Sequence, residues 1–233
     1  MNKATSSRQL NHYTVFSFTD FFWQQPSKQR QAFLQQLSKQ IPKLAEHVYL
    51  YHIFPTRPEG DLMIWSAIQV DDPQKPASFF TQISSTTASW RQYLKPINTL
   101  WGFTRPSVYS TGKSSQELDP FVAERRPYLV VYPFIKTAEW YLMSRETRQE
   151  MMNEHIKVGR QYPEITQLLL YSTGLQDQEF VVVYETDDLP HFSELVTVLR
   201  STEGRKYTLR DTPIYTAIYR AQDEILSSFS DPD

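Results

Sequence analysis

The chain has no cysteine, which removes disulfides, thiolate metal sites and thiol nucleophiles together. Glycine is scarce, at six residues, and none falls in a GxGxxG or GxxxxGK pattern. Phosphate-cradling nucleotide loops therefore have no foothold. No apolar run approaches the ~18 residues of a spanning helix, so no membrane partner is expected. The polar start, Met1 to Gln9, lacks the apolar core of a secretory signal. With the missing cysteines, it points to the cytoplasm. Basic excess is absent too: 24 Lys and Arg stand against 26 Asp and Glu, a net charge of −2. A nucleic-acid partner is not expected, because such proteins carry a basic surplus.

What remains is enough to fold. Of the 233 residues, 40% are apolar and 14% aromatic, material for one large domain or two of about 100 residues each. The order of elements repeats. In the first half a strand at 13–18 is followed by a helix from Pro26 and Ser27, with Phe33, Leu34, Leu37 and Ile41 on one face. Strands are expected at 48–54 and 62–70, then a helix opening at Asp71, Asp72 and Pro73, then a last strand near 107–110. The second half reads as strand 128–135, helix 144–158, strands 166–172 and 179–185 around a turn at Gly174, a helix from Asp187 to about Arg200, and strand 213–220. Each half is thus βαββαβ, the ferredoxin-like order, with two helices on one face of an antiparallel sheet. The expected fold class is α+β: two ferredoxin-like repeats, residues 10–112 and 127–221, forming a dimeric α/β-barrel, with the polar stretch 113–126 as linker. Closure of two such sheets into a barrel removes exposed strand edges.

Of five histidines, none forms an HxH or HxxxH pair, which argues against zinc. His155 stands apart. It ends a helical stripe that runs back through Met151, Thr147 and Met143, with Met152 and Val158 alongside. A lone imidazole there suits an iron held below a flat apolar macrocycle. A core histidine satisfied by hydrogen bonds, or a cation at the helix C-terminus, accounts for the spacing as well. Alternation puts Tyr132, Phe134 and Lys136 on one face of their strand, as pocket lining or as a strand end with an amphipathic lysine at the rim. Arg160, Arg200 and Arg205 follow or end helices, where cations are favourable with or without an anionic ligand. Trp140 and Tyr141 precede the helix and read as core or as pocket wall.

The second half resembles a known family. Tyr-Pro-Phe-Ile-Lys at 132–136, Glu-Trp-Tyr-Leu at 139–142, Glu-His-Ile-Lys-Val-Gly-Arg at 154–160, Gln-Leu-Leu-Leu-Tyr-Ser-Thr-Gly-Leu at 167–175 and Leu-Arg-Ser-Thr-Glu at 199–203 are similar, in order and spacing, to the core signature of the chlorite-dismutase-like haem proteins. The likeness covers most of residues 127–220; the first half matches chiefly through Arg57-Pro58-Glu59 and 61–65. The resemblance implies the duplicated barrel, haem in the second half only, His155 as the proximal iron ligand, and Glu203 as an acidic partner of its far nitrogen. Gln167 falls where chlorite dismutases carry a distal arginine. Glutamine there resembles the coprohaem decarboxylases, in which a tyrosine matching Tyr132 is oxidised to a radical and a lysine matching Lys136 steers a propionate. Arg160 and Arg200 match arginines at the haem edge, and Trp140 falls in the cofactor wall. The implied activity is peroxide-dependent decarboxylation of iron coproporphyrin III to haem b, by a homo-oligomer of pentameric form. The alternatives are a haem protein of this family with peroxidase or other activity, and a non-enzymatic haem-binding ring protein. Ile156 departs from the pattern, since many members carry glycine after the ligand.

Overall fold

A computed structural model describes residues 8–109 and 114–230. The chain divides into two compact units, residues 1–103 with 216–233, and residues 104–215.

The first unit opens with strand β1 (Arg8–Phe18) and a short helix α1 (Asp20–Trp23), capped by the Thr19 hydroxyl. Helix α2 (Ser27–Gln40), strands β2 (His47–His52) and β3 (Leu62–Val70), helix α3 (Lys75–Ala88) and strand β4 (Leu94–Phe103) follow. The strands lie in the order β4-β1-β3-β2, the antiparallel ferredoxin-like order. Phe33, Leu34 and Leu37 project from α2 at helical spacing and pack on Phe16, Leu50 and Ile64 of the sheet. α3 brings Phe79 onto Leu10 and Ile68. β4 corrects the expected strand near 107–110; position 110 lies outside the described residues. Pro96 and an extra residue hid it. The β1–β4 register jumps from Val15↔Asn98 to Phe16↔Pro96, leaving Ile97 as a bulge. A bulge is where a strand tolerates proline, and it erases the period of two that marks a strand in sequence.

The second unit contains β5 (Tyr128–Lys136), α4 (Ala138–Leu142), α5 (Arg145–Gly159), β6 (Thr166–Tyr171), β7 (Phe180–Thr186), α6 (Leu189–Arg200) and β8 (Thr208–Arg210). Its sheet order is β6-β7-β5-β8, again ferredoxin-like. The fourth place goes to β8, a three-residue strand too short to show a period. The closing run is β9 (Tyr215–Tyr219), which pairs with β2 through Tyr51↔Tyr219 and His52↔Ile218 and leads into α7 (Gln222–Ser227). Local chemistry explains the second unit's helix starts. The Ser144 hydroxyl accepts the Thr147 N–H at 3.1 Å, and the Asp188 carboxylate accepts the His191 N–H at 3.0 Å. Gly174 turns the β6–β7 connection at φ +76°, a conformation that costs glycine nothing. Among the described residues no helix is long and apolar enough to cross a membrane.

Candidate functional site

The register of the second unit assigns its side chains to faces. Pairing of Tyr132 with Val182, Phe134 with Phe180, Leu169 with Val182 and Gln167 with Tyr184 puts these residues, and Lys136, on one face of the sheet. That face packs on α6: Val130, Val182 and Tyr184 form a cluster with Phe192 and Leu195, joined by Val158 at the end of α5. Beyond Val158 the helix contributes little. None of the fifteen residues of α5 is buried. Met151, Met152, His155 and Ile156 are each half-buried, and on β6 Gln167 and Leu169 are exposed, Leu169 to 39%.

His155 is the unusual member. Among the described residues, no hydrogen bond and no ring contact holds its imidazole. Burial lowers its pKa below the ordinary 6.5, the Lys136 ammonium lowers it further, and Glu154 partly opposes them. The ring is therefore neutral near pH 7, with a nitrogen lone pair to offer. Among the described residues no group of three or more His, Cys, Asp or Glu could hold a metal by itself. One neutral imidazole at a half-covered, Met-lined helix face fits a metal whose other ligands come from a flat apolar ring. The residues present thus fit a haem-type group, and His155 would hold its iron.

Lys136 ends β5. Its Nζ lies 4.3 Å from the centre of the buried Trp140 ring and donates to the Gly204 carbonyl at 3.3 Å. Burial, then Arg205, brings its pKa down to about 8, while Glu179 raises it. Glu179 also accepts the Lys136 backbone N–H at 2.8 Å and a hydrogen bond from Tyr141, whose phenol is pushed up by burial and by that carboxylate. The Tyr132 phenol is held well above its ordinary value, chiefly by burial and then by Tyr184. The two rings stack with centres 6.2 Å apart, and their hydroxyls are hydrogen-bonded. Gln167 stands opposite Tyr184 in the β6–β7 register, so Gln167, Tyr184 and Tyr132 cross three strands on one face.

The remaining expected residues lie further out. Arg160 is the exposed C-cap of α5. Arg200, half exposed, bonds Asp211 at 3.1 Å, and Asp211 also takes Arg205 at 2.7 Å. Glu203 is paired with Lys206 at 2.7 Å, and its backbone N–H donates to Glu154 at 3.1 Å. Trp140 forms a wall with Tyr207, ring centres 6.0 Å apart. Sequence reasoning missed Tyr184, Glu179 and Asp211. Tyr184 was within reach, because strand alternation and the partner register put it beside Tyr132. Glu179 lies 43 positions from Lys136 and left no local signal.

The sequence profile of the chlorite dismutase family matches residues 24–220. The coproheme decarboxylase of Mycolicibacterium smegmatis is 29% identical over 169 residues, covering 72% of this chain and 70% of that one. The coproheme decarboxylase of Staphylococcus carnosus is 27% identical over 200 residues, covering 76% and 78%. Among solved structures, chlorite dismutase from Candidatus Nitrospira defluvii in complex with imidazole superposes with a TM-score of 0.82 at 22% identity over 97% of both chains. A mutant of the same enzyme gives 0.81 at 22% over 96% of both. At such identity the superpositions carry the fold, while the profile match spans most of the sequence: this chain belongs to the chlorite dismutase family.

Proposed function

We propose that the protein is a haem-dependent oxidoreductase that removes carboxyl groups from an iron porphyrin with peroxide, converting iron coproporphyrin III to haem b. The observation that carries the reading is the pairing of an unpartnered, neutral His155 on a helix that buries nothing with Tyr132, Lys136 and Gln167 on one sheet face. The two curated relatives compared above are coproheme decarboxylases, which supports the same reading. In each round a propionate carboxylate, one peroxide and one proton become a vinyl group, carbon dioxide and two waters. Two rounds reduce four propionates to two.

The bound iron supplies the oxidising power drawn from peroxide. The chain's own residues do the rest. His155 ligates the metal through its neutral imidazole. Tyr132 would give up an electron and its phenolic proton, and the radical left on its oxygen would take a hydrogen atom back from the nearest propionate chain; loss of a second electron from that chain, to the other oxidising equivalent of the peroxide, would then break the bond to the carboxylate and release carbon dioxide. Tyr184 holds that phenol in place by stacking and hydrogen bonding. Burial keeps Tyr132 protonated until it is oxidised, so electron and proton leave together. Lys136 offers a point charge to the reacting carboxylate. Gln167 meets peroxide as a neutral amide; without a fixed cation it favours this chemistry over chlorite breakdown. Arg160, Arg200 and Trp140 frame the ring edge, and Glu203 stands near the proximal side. We place the enzyme in the cytoplasm as a homo-oligomer.

The test mixes purified protein with ferric coproporphyrin and titrates peroxide under mass spectrometry. Two successive losses of carbon dioxide plus two hydrogens are expected. Tyr132→Phe is expected to bind the porphyrin normally and lose nothing. Oxygen release from chlorite with an unchanged porphyrin would replace this reading with a chlorite-degrading one. Binding without any peroxide-driven change would make the protein a haem carrier.

A further inference from the structure

We propose that Gln116 is a positioning residue that clamps the two sides of the site together; the inference rests on His155 and Gln167 flanking the iron. Glutamine ordinarily stays in water, yet Gln116 is only 7% exposed. Its side-chain amide Nε2 donates to the Tyr162 carbonyl at 2.8 Å and to the Gly159 and Ile165 carbonyls at 3.2 Å each. These carbonyls mark the end of α5 and the turn that leads into β6; Gly159 and Tyr162 also accept the turn N–H groups of Tyr162 and Ile165, at 3.1 Å each, and the amide adds a side-chain donor from a distant segment. His155 lies one turn before Gly159.

The main chain of the same residue holds the other side. The Gln116 carbonyl accepts the Gln167 N–H at 2.7 Å, and Leu118 donates its N–H back to the Gln167 carbonyl at 2.9 Å. Glu117 and Gln167 form a parallel bridge between these bonds. One residue therefore fixes the end of the helix that carries His155 and the strand position that carries Gln167. A side chain of the same length without a donor removes the two N–H groups shared among these three carbonyls and loosens the turn between the two sites. A polar linker residue that only needed solvent would not be buried against the end of a helix.

The experiment compares wild type with Gln116→Met and Gln116→Asn in the full chain. In ligand-free protein, Gln116→Met is expected to speed amide exchange across residues 159–167 about tenfold, with the far-UV circular dichroism unchanged. Loaded with ferric porphyrin, it is expected to shift both fluoride affinity, which reads the Gln167 side, and the ferrous iron–histidine stretching frequency, which reads the His155 side. Gln116→Asn keeps the amide but is one methylene short, so it should show the same shifts at smaller size and stands in if the methionine variant does not fold. Unchanged exchange with unchanged fluoride affinity and stretch overturns the proposal. So does a lower melting temperature with neither spectroscopic shift, because general stability is then all that Gln116 provides. If the wild type itself shows no histidine-bound iron, the reading of the site fails, and the exchange measurement still decides the clamp.

Discussion

Two helices hold the same place in their repeats and use their side chains in opposite ways. α2 buries Phe33, Leu34, Leu37 and even Arg30, whereas α5 buries nothing. The equivalent strands differ to match: β2 buries Tyr49, Leu50 and Tyr51, while β6 buries Leu168 and Leu170 and leaves Gln167 and Leu169 outside. The two helices are equally polar in composition, so hydropathy does not separate them. What separates them is the neighbour each one meets. In the first unit the helix closes the core; in the second, a pliable methionine face and the exposed residues of β6 stay partly in water. The contrast extends to two histidines, His12 in the first core and the half-buried His155. His12 sits edge-on to Phe79 and Phe80 at 5.8 and 5.9 Å, with Thr14 at 3.3 Å, and burial brings its pKa down to about 4. It is a satisfied core residue, and His155 is not.

The largest effect should come from exchanging those histidines in turn. His155→Ala is expected to weaken ferric porphyrin binding by more than the ~100-fold that loss of a ligand's supporting partner costs. His12→Ala should leave the absorbance titration unchanged and lower the melting temperature instead. Equal porphyrin affinity in the two variants would erase the distinction between the units. Next come the helices. Leu37→Ala, at a fully buried position on α2, should cost ~2–5 kcal/mol in urea unfolding. Met152→Ala on α5 should cost less than Leu37→Ala in ligand-free protein, because that side chain is only partly removed from water on folding. A Met152 penalty as large as that of Leu37 would mean that α5 closes a core after all.

The smallest expected effect is electrostatic. Lys136 is charged below about pH 8 and neutral above it. Attraction for a porphyrin carboxylate is therefore present at pH 7 and lost as pH rises through that value. Affinity for ferric coproporphyrin should fall roughly two- to fivefold between pH 7 and 9.5. Lys136→Arg, which keeps its charge throughout, should flatten that slope. A slope of equal size in the arginine variant would assign the effect to another group.

Much of the fold was legible from local signals. The strand-like run 62–70 is β3 over that span. Ser144 announces the start of α5 as an N-cap, and Gly174 marks the turn between β6 and β7. The failures also have local causes. Pro96 and the Ile97 bulge conceal β4, and three residues are too few to reveal β8. The candidate site was legible where alternation operates, at Tyr132 and Lys136. Gln167 emerged from family resemblance, since a lone glutamine in a strand carries no chemical signature. Asp211 was invisible because it works by drawing Arg200 and Arg205 together, a contact no periodicity encodes.

Taken alone, the order of residues determined the first five elements of each βαββαβ repeat, the helix starts at Ser144 and Asp188, and the strand faces where the period of two is intact. These depend on neighbours a few positions away, through side-chain periods of 2 and 3.6. Only the tertiary structure decided that α5 stays open where α2 is closed, and that Gln116 ties the end of α5 to Gln167. Burial and hydrogen-bond partnership are set by segments distant in the chain, so no local pattern specifies them.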